Sequence, residues 1–292
     1  MIYLTKENWN NIILSNLNNE ESFKKEFIEL YKIYNAVHFF SRKIYSGANE
    51  QQNTLIAAQI IFHKFRICSG FSLNKYSSEE FYIILAACLF IGQKAINILK
   101  IKIDDIASSI EQFINKKNPT INVDINDLNK KIIQKEYEIL TSIGFNIEKD
   151  SPFRFFNKLK NYLSKSEINS ENFIKLLNYI LKDAYILPLS LYYTPNTITI
   201  SCVKILREKY KLNFINIKEL ISLSEYNIEH EDIIQCSTLI AKLEAALNEK
   251  KNQKNNNNSA LKNEKEEKIE DKKVSPQASI AKVIPSIKMN IE

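Results

Sequence analysis

Only four of the 292 residues are glycine, Gly47, Gly70, Gly92 and Gly144, and only six are proline. Tight turns draw on these residues more than on any others. An all-β chain needs a turn signal roughly every 8–12 residues, so the shortage argues against a sandwich or a barrel and for helices joined by polar loops. The same shortage removes a class of chemistry. No two glycines lie closer than 22 residues, so neither G-x-G-x-x-G nor a Walker loop exists here to cradle nucleotide phosphates. With 45% hydrophobic residues the chain can bury a real core, and its length suggests about two domains.

The apolar periodicity is helical almost throughout. It predicts helices over about 22–46, 52–68, from Ser77 or Ser78 to about 94, over 103–114 and over 127–143. Gly47, Gly70 and Gly144 sit at helix ends, where a glycine takes the left-handed cap conformation. The third helix opens with Glu79 and Glu80 in its first turn, and its body, FYIILAACLFIG, is apolar on every side. A helix with that pattern is a central one. After a loop at Asn118 and Pro119, and a second helix start at Asp150–Ser151–Pro152, the scheme repeats over 152–164, 171–192, 195–210, 216–226 and 230–248. YSSEEFYIILAACLF near residue 76 and YTPNTITISCVKIL near residue 193 correspond at an offset of about 117 residues. Two tandem five-helix units are the simplest reading.

From about 248 the composition changes. KKNQKNNNNSALKNEKEEKIEDKK holds almost no apolar residues and cannot offset its ordering entropy by burial, which predicts a disordered tail. Residues 248–292 carry 10 Lys against 7 acids, leaving 30 basic against 27 acidic residues elsewhere. The folded part is nearly balanced and has no basic stripe for nucleic acid. Cys68, Cys88, Cys202 and Cys236 are widely spaced and read as thiols in a reducing compartment. They and the three histidines, His38, His63 and His230, lack metal-ligand spacing. The N-terminal MIYLTKENWN lacks the order of a signal peptide. The longest apolar run, 81–91, is too short for a span of about 20 residues. These features predict a soluble intracellular protein that needs no metal or cofactor and touches neither membrane nor nucleic acid directly.

Two polar residues fall against the pattern. Glu136 lies four residues from both Ile132 and Leu140, on or beside the apolar stripe of the fifth helix. Lys94 closes the most apolar helix. The ordinary readings are a stripe-edge carboxylate reaching water and a cation at a helix C-terminus. If the two helices are neighbours, the pair makes a charged grip at the rim of an apolar surface, suited to a partner's backbone.

Several passages resemble the cyclins, particularly cyclins L, K and T: IIFHKFRICSGF (60–71), AACLFIGQK (86–94), IIQKEYEILTSIGFNIEKDSPFRFFNKL (132–159) and YTPNTITISCVKIL (193–206). Together they span about residues 20–247 in the family's order. The resemblance implies an all-α fold of tandem cyclin boxes. The expected organisation is an N-terminal extension (1–21), two boxes (22–147 and 148–248) and a disordered Lys/Asn/Glu-rich tail (249–292). It implies a nuclear, non-catalytic subunit, with the cytoplasm as a further location, that pairs with a cyclin-dependent kinase and activates it in transcription or RNA processing. In the family the Lys ending the third helix and the Glu of the fifth hydrogen-bond the kinase, which maps that role onto Lys94 and Glu136. Ile91, Leu140, Phe145 and Ile147 match apolar contact positions, with ordinary core packing as the alternative. Two departures stand out: Ile96 and Asn97 replace a family acidic pair, and the mitotic substrate-docking motif is missing. Two alternatives keep the fold and change the role. One is a DNA-holding factor of the IIB type, which would need a zinc ribbon and a basic face. The other is a scaffold without a kinase.

Overall fold

The structure, a computed structural model, describes residues 4–45, 48–70, 78–96, 101–117, 124–147, 153–163, 170–212 and 215–270. Among these residues there is no strand. Two short helical turns, α1 (Lys6–Asn8) and α2 (Ser15–Asn18), flank a wide π turn at Trp9–Leu14. A first set of five helices follows: α3 (Glu20–Ile44), α4 (Ala48–Ser69), α5 (Ser78–Ala95), α6 (Ile103–Lys117) and α7 (Ile125–Ser142). The second set is α8 (Phe153–Leu163), α9 (Ser170–Ala184), α10 (Pro195–Lys209), α11 (Ile217–Ser222) and α12 (His230–Glu270), with a 3-10 turn at Pro188–Leu191. Residues 1–245 form one compact unit and 246–292 a second.

Local chemistry sets the ends of these elements. Asn19 caps α3 by accepting from the Ser22 N–H, with Glu20 and Glu21 in the first turn, where acids suit the helix dipole. Thr194 caps α10 by accepting from the Thr197 N–H, and Pro195 takes the first position, where a missing donor costs nothing. As its composition predicts, α5 is buried without interruption from Phe81 to Leu89. It packs on α4 and α7, and the α4 crossing is close. A Cβ added at Gly92 would lie 2.9 Å from the Ala58 backbone nitrogen, so a glycine is needed there. In the second set α10 has the central place, buried from Pro195 to Val203. It starts at 195 where α5 starts at 78, which is the expected offset of 117.

One expected helix changes, and two regions gain detail. The predicted helix over 171–192 breaks after Ala184, because Pro188 has no N–H to donate and Leu187 before it is held extended (φ −81°, ψ 153°). The N-terminal extension has structure: Trp9 is fully buried, stacked on Tyr192 at 5.4 Å and edge-on to Tyr193 at 5.3 Å. Finally, the last helix continues past 248 to Glu270. Nothing between 246 and 270 is Gly or Pro, and Lys, Glu, Gln, Ala and Leu favour helix. The stretch has no apolar face to bury, which was the basis of the expected tail. Residues 271–292, including Ser275 and Pro276, lie outside the described residues, as do Gly47, Asn97, Asn118, Pro119 and 150–152.

Candidate functional site

The neighbouring helices α5 and α7 bring the two singled-out polar residues together. Lys94 Nζ donates to Glu136 Oε1 at 2.6 Å. The lysine side chain keeps 41% of its surface exposed and the glutamate 12%. The ammonium also lies 4.0 Å from the centre of the Phe90 ring, a cation–π contact that fixes its stem. Glu136 is thus a mostly covered carboxylate whose partner stands at the rim.

Around this pair α7 has two apolar faces. Leu128, Ile132 and Ile139 are buried. On another side Ile133 is 54% exposed and Tyr137 69% exposed, and half-buried Leu140 continues that line at the next turn. An apolar row left in water beside an anchored charge pair is the composition of a docking face. At the other flank, ion pairs hold α7 to the start of α5: Lys131 to Glu79 at 2.9 Å and Lys135 to Glu80 at 3.5 Å.

The end of α7 adds the exposed ring of Phe145. The Phe145 N–H reaches back to the Leu140 carbonyl at 2.7 Å and the Gly144 N–H to that of Thr141 at 3.0 Å. This is the double closure of a Schellman end with glycine at its left-handed position; Gly144 has φ +62°. Phe145 is left-handed too, at φ 54°, a costly state for a bulky L-residue. Its side chain is 61% exposed. The fold therefore holds an aromatic ring outward in a strained backbone.

Of the six residues expected to form the site, Lys94 and Glu136 are paired, Phe145 is exposed, and Leu140 and Ile147 are half-buried. Ile91 is fully buried, so its side chain is part of the core. Ile96 is half-buried. The sequence reading passed over Lys64, Ile133 and Tyr137. Lys64 is only 1% exposed and donates to the Asn146 carbonyl at 3.3 Å. A lysine inside the apolar stripe of α4 thus tethers the turn that displays Phe145. Its signal was present, a cation four residues after Ile60 on an apolar face. For Ile133 and Tyr137 the signal was the second apolar row on α7.

Among the described residues, no group of three or more His, Cys, Asp or Glu could hold a metal ion, and no helix is long and apolar enough to cross a membrane. Cys88, Cys202 and Cys236 are buried and Cys68 is exposed. Burial raises the Cys88 and Cys236 thiols and carries Cys202 well above its ordinary value, which leaves all three inert.

No protein-family model and no curated protein matches the chain. Solved structures do. A chain of the yeast TFIIK (Kin28/Ccl1/Tfb3) complex matches with a TM-score of 0.54 at 14% identity, over 82% of this chain and 96% of that one. A viral cyclin from herpesvirus saimiri matches with a TM-score of 0.52 at 15% identity, over 75% and 86%. The all-helical fold is the cyclin fold.

Proposed function

We propose that this chain is a cyclin: a regulatory subunit without catalytic residues of its own, which binds a cyclin-dependent kinase and holds it active. The observation that carries the reading is the Lys94–Glu136 pair, 2.6 Å apart and set beside the exposed row of Ile133 and Tyr137, on a cyclin fold. The fold likeness and the ordered resemblance over about 20–247 support it. On docking, Lys94 donates to a backbone carbonyl of the kinase and Glu136 accepts from a backbone N–H. Because the two already neutralise each other, neither is a lone charge before the partner arrives, which lowers the cost of covering them. Leu140, Phe145 and Ile147 add apolar contact.

Activation follows from kinase chemistry. Phosphoryl transfer needs the kinase's own Lys–Glu pair and an ordered activation loop. A partner that binds only the conformation with that pair formed shifts the population toward it. A swing from 1:99 to 99:1 takes about 5.5 kcal/mol of differential affinity, within reach of a standard-sized interface with a few anchors. The likeness to cyclins L, K and T in 60–71 supports a role in the nucleus, in transcription or RNA processing.

Affinity capture of the full chain followed by mass spectrometry should recover a cyclin-dependent kinase, and recovery of none would sink the reading. The double change Lys94→Ala with Glu136→Ala should weaken kinase association at least about tenfold, the scale of losing charged hydrogen bonds, while helical content is retained. A double variant that unfolds assigns the pair to structure instead.

A further inference from the structure

An open cleft of about 350 Å³ lies on the seam between the two helix sets and shares no residue with the Lys94–Glu136 face. His38 of α3, Gln51 and Gln52 in the first turns of α4, and one face of α9 line it. On α9, Lys175, Tyr179 and Lys182 stand at i, i+4 and i+7, with Asn178 beside them.

Two lysines face this cleft. Several lysines elsewhere in the fold, Lys131, Lys135, Lys204 and Lys209 among them, each hold a carboxylate. Among the described residues Lys175, Lys182 and nearby Arg42 form no ion pair. Lys182 Nζ rests 5.7 Å from the Tyr34 ring centre. Burial pushes its ammonium below the ordinary range; Asp183 opposes that shift and Arg42 adds to it. His38 feels the same field, pushed down to about 4 by burial and then by Lys182 and Arg42. It is neutral at pH 7. The start of α4, a helix of 22 residues, adds the partial positive charge of a helix N-terminus.

A polar group is also left over. His38 Nδ1, which can carry a proton in the neutral ring, is shielded from solvent and has no hydrogen-bond partner, although buried polar atoms nearly always find one. The two lysines lie on one face of α9, seven residues apart, and line a single cleft rather than the long stripe that tracks a nucleic-acid backbone. Tyr179, 69% exposed, offers apolar footing in the lining of the cleft. One doubly charged group with three acceptor oxygens, on an extended chain, matches this arrangement.

We propose that the cleft receives a phosphorylated serine or threonine of a peptide segment, its phosphoryl group held between Lys175 and Lys182 and a flanking side chain resting on Tyr179. The site stands independently of the kinase face.

Fluorescence anisotropy on the full chain tests it, with a degenerate phosphoserine/phosphothreonine peptide pool, the same pool unphosphorylated, inorganic phosphate, and a ten-nucleotide uridine RNA. The phosphorylated pool should bind, the unphosphorylated pool should not, and added salt should weaken binding. Lys175→Gln with Lys182→Gln should weaken it at least about tenfold. The Lys→Arg pair should stay within about threefold, because charge and donors remain. Lys94→Ala with Glu136→Ala should leave it unchanged. Exposed Lys175 alone carries the test if the double Gln variant loses its helical signal. Equal binding of the two pools, undiminished binding by the Gln variants, tighter binding of the RNA, or a peptide pool no tighter than inorganic phosphate would each overturn the proposal.

Discussion

Gly92 and Phe145 each invert the usual effect of a substitution. A glycine inside a helix ordinarily destabilises it by about 0.5–1 kcal/mol relative to alanine, so Gly92→Ala looks favourable on paper. The added Cβ would stand 2.9 Å from the Ala58 nitrogen and 3.3 Å from the Thr54 carbonyl oxygen. Neither is a flexible side-chain end, so α4 and α5 must move apart. Overpacking of that kind costs about 1–3 kcal/mol and outweighs the propensity gain. Gly92→Ala should lower stability by about 1–2 kcal/mol in urea unfolding; an unchanged or raised midpoint would show that the crossing yields freely. Phe145 is the converse. Its left-handed backbone costs roughly 1–2 kcal/mol and its ring is 61% exposed, so little packing offsets the strain. Phe145→Gly should leave urea stability equal or up to about 1 kcal/mol higher, since glycine's greater unfolded freedom takes back part of the gain. The same variant should bind the kinase more weakly. Marked destabilisation instead would mean that the ring is core.

At the level of single helices, legibility followed periodicity. A run apolar on all sides could only be a buried central helix, and α5 and α10 are that. Lys94 and Glu136 could be picked out because a charge on or beside an apolar stripe is conspicuous, and their meeting required only that α5 and α7 be neighbours. Where an element's reason lies far away in sequence, the reading ran out. Trp9 is buried because Tyr192 and Tyr193 receive it and because the Leu4 N–H pairs with the Leu191 carbonyl at 2.9 Å. No local period announces a partner more than 180 residues away, so 1–21 read only as an extension. The break at Pro188 was legible from the proline itself but was overridden by the apolar run around it. Ile91 shows the limit of resemblance: a matched position on a fully buried turn is packing first. The second apolar row of α7, Ile133 and Tyr137, is present in the sequence too, but a helix apolar on two faces gives no sign from periodicity alone of which face the fold will cover.

Across the whole of residues 1–245, a few polar ties join the two helix sets. Gln52 Nε2 donates to the Asn178 carbonyl at 3.0 Å, and His63 Nε2 meets the Tyr185 carbonyl at 3.2 Å. His63 is 3% exposed and its Nδ1 has no partner. The ring is therefore neutral, donating through Nε2. Burial, and then Arg66, push it down to about 3, against the smaller opposing effect of hydrogen bonds from the ring to the backbone at Tyr185 and Ile186. The unfolded histidine titrates near 6.5. Between those values the unfolded chain holds a proton that the folded chain refuses, so stability falls as pH drops below about 6.5 and keeps falling toward 3. The slope approaches 1.4 kcal/mol per pH unit for one such group, which is about 2 kcal/mol by pH 5. His63→Gln keeps an N–H for the Tyr185 carbonyl and removes the titration. It should be less stable than the parent at pH 7.5, where the imidazole packs best, and the gap should narrow by about 2 kcal/mol by pH 5. Urea unfolding at each pH reads this directly, because carboxylates and His38 titrate alike in both proteins and cancel in the difference. Parallel curves for parent and variant would mean that His63 takes up its proton inside the fold, and that the seam between the helix sets opens to water at this point.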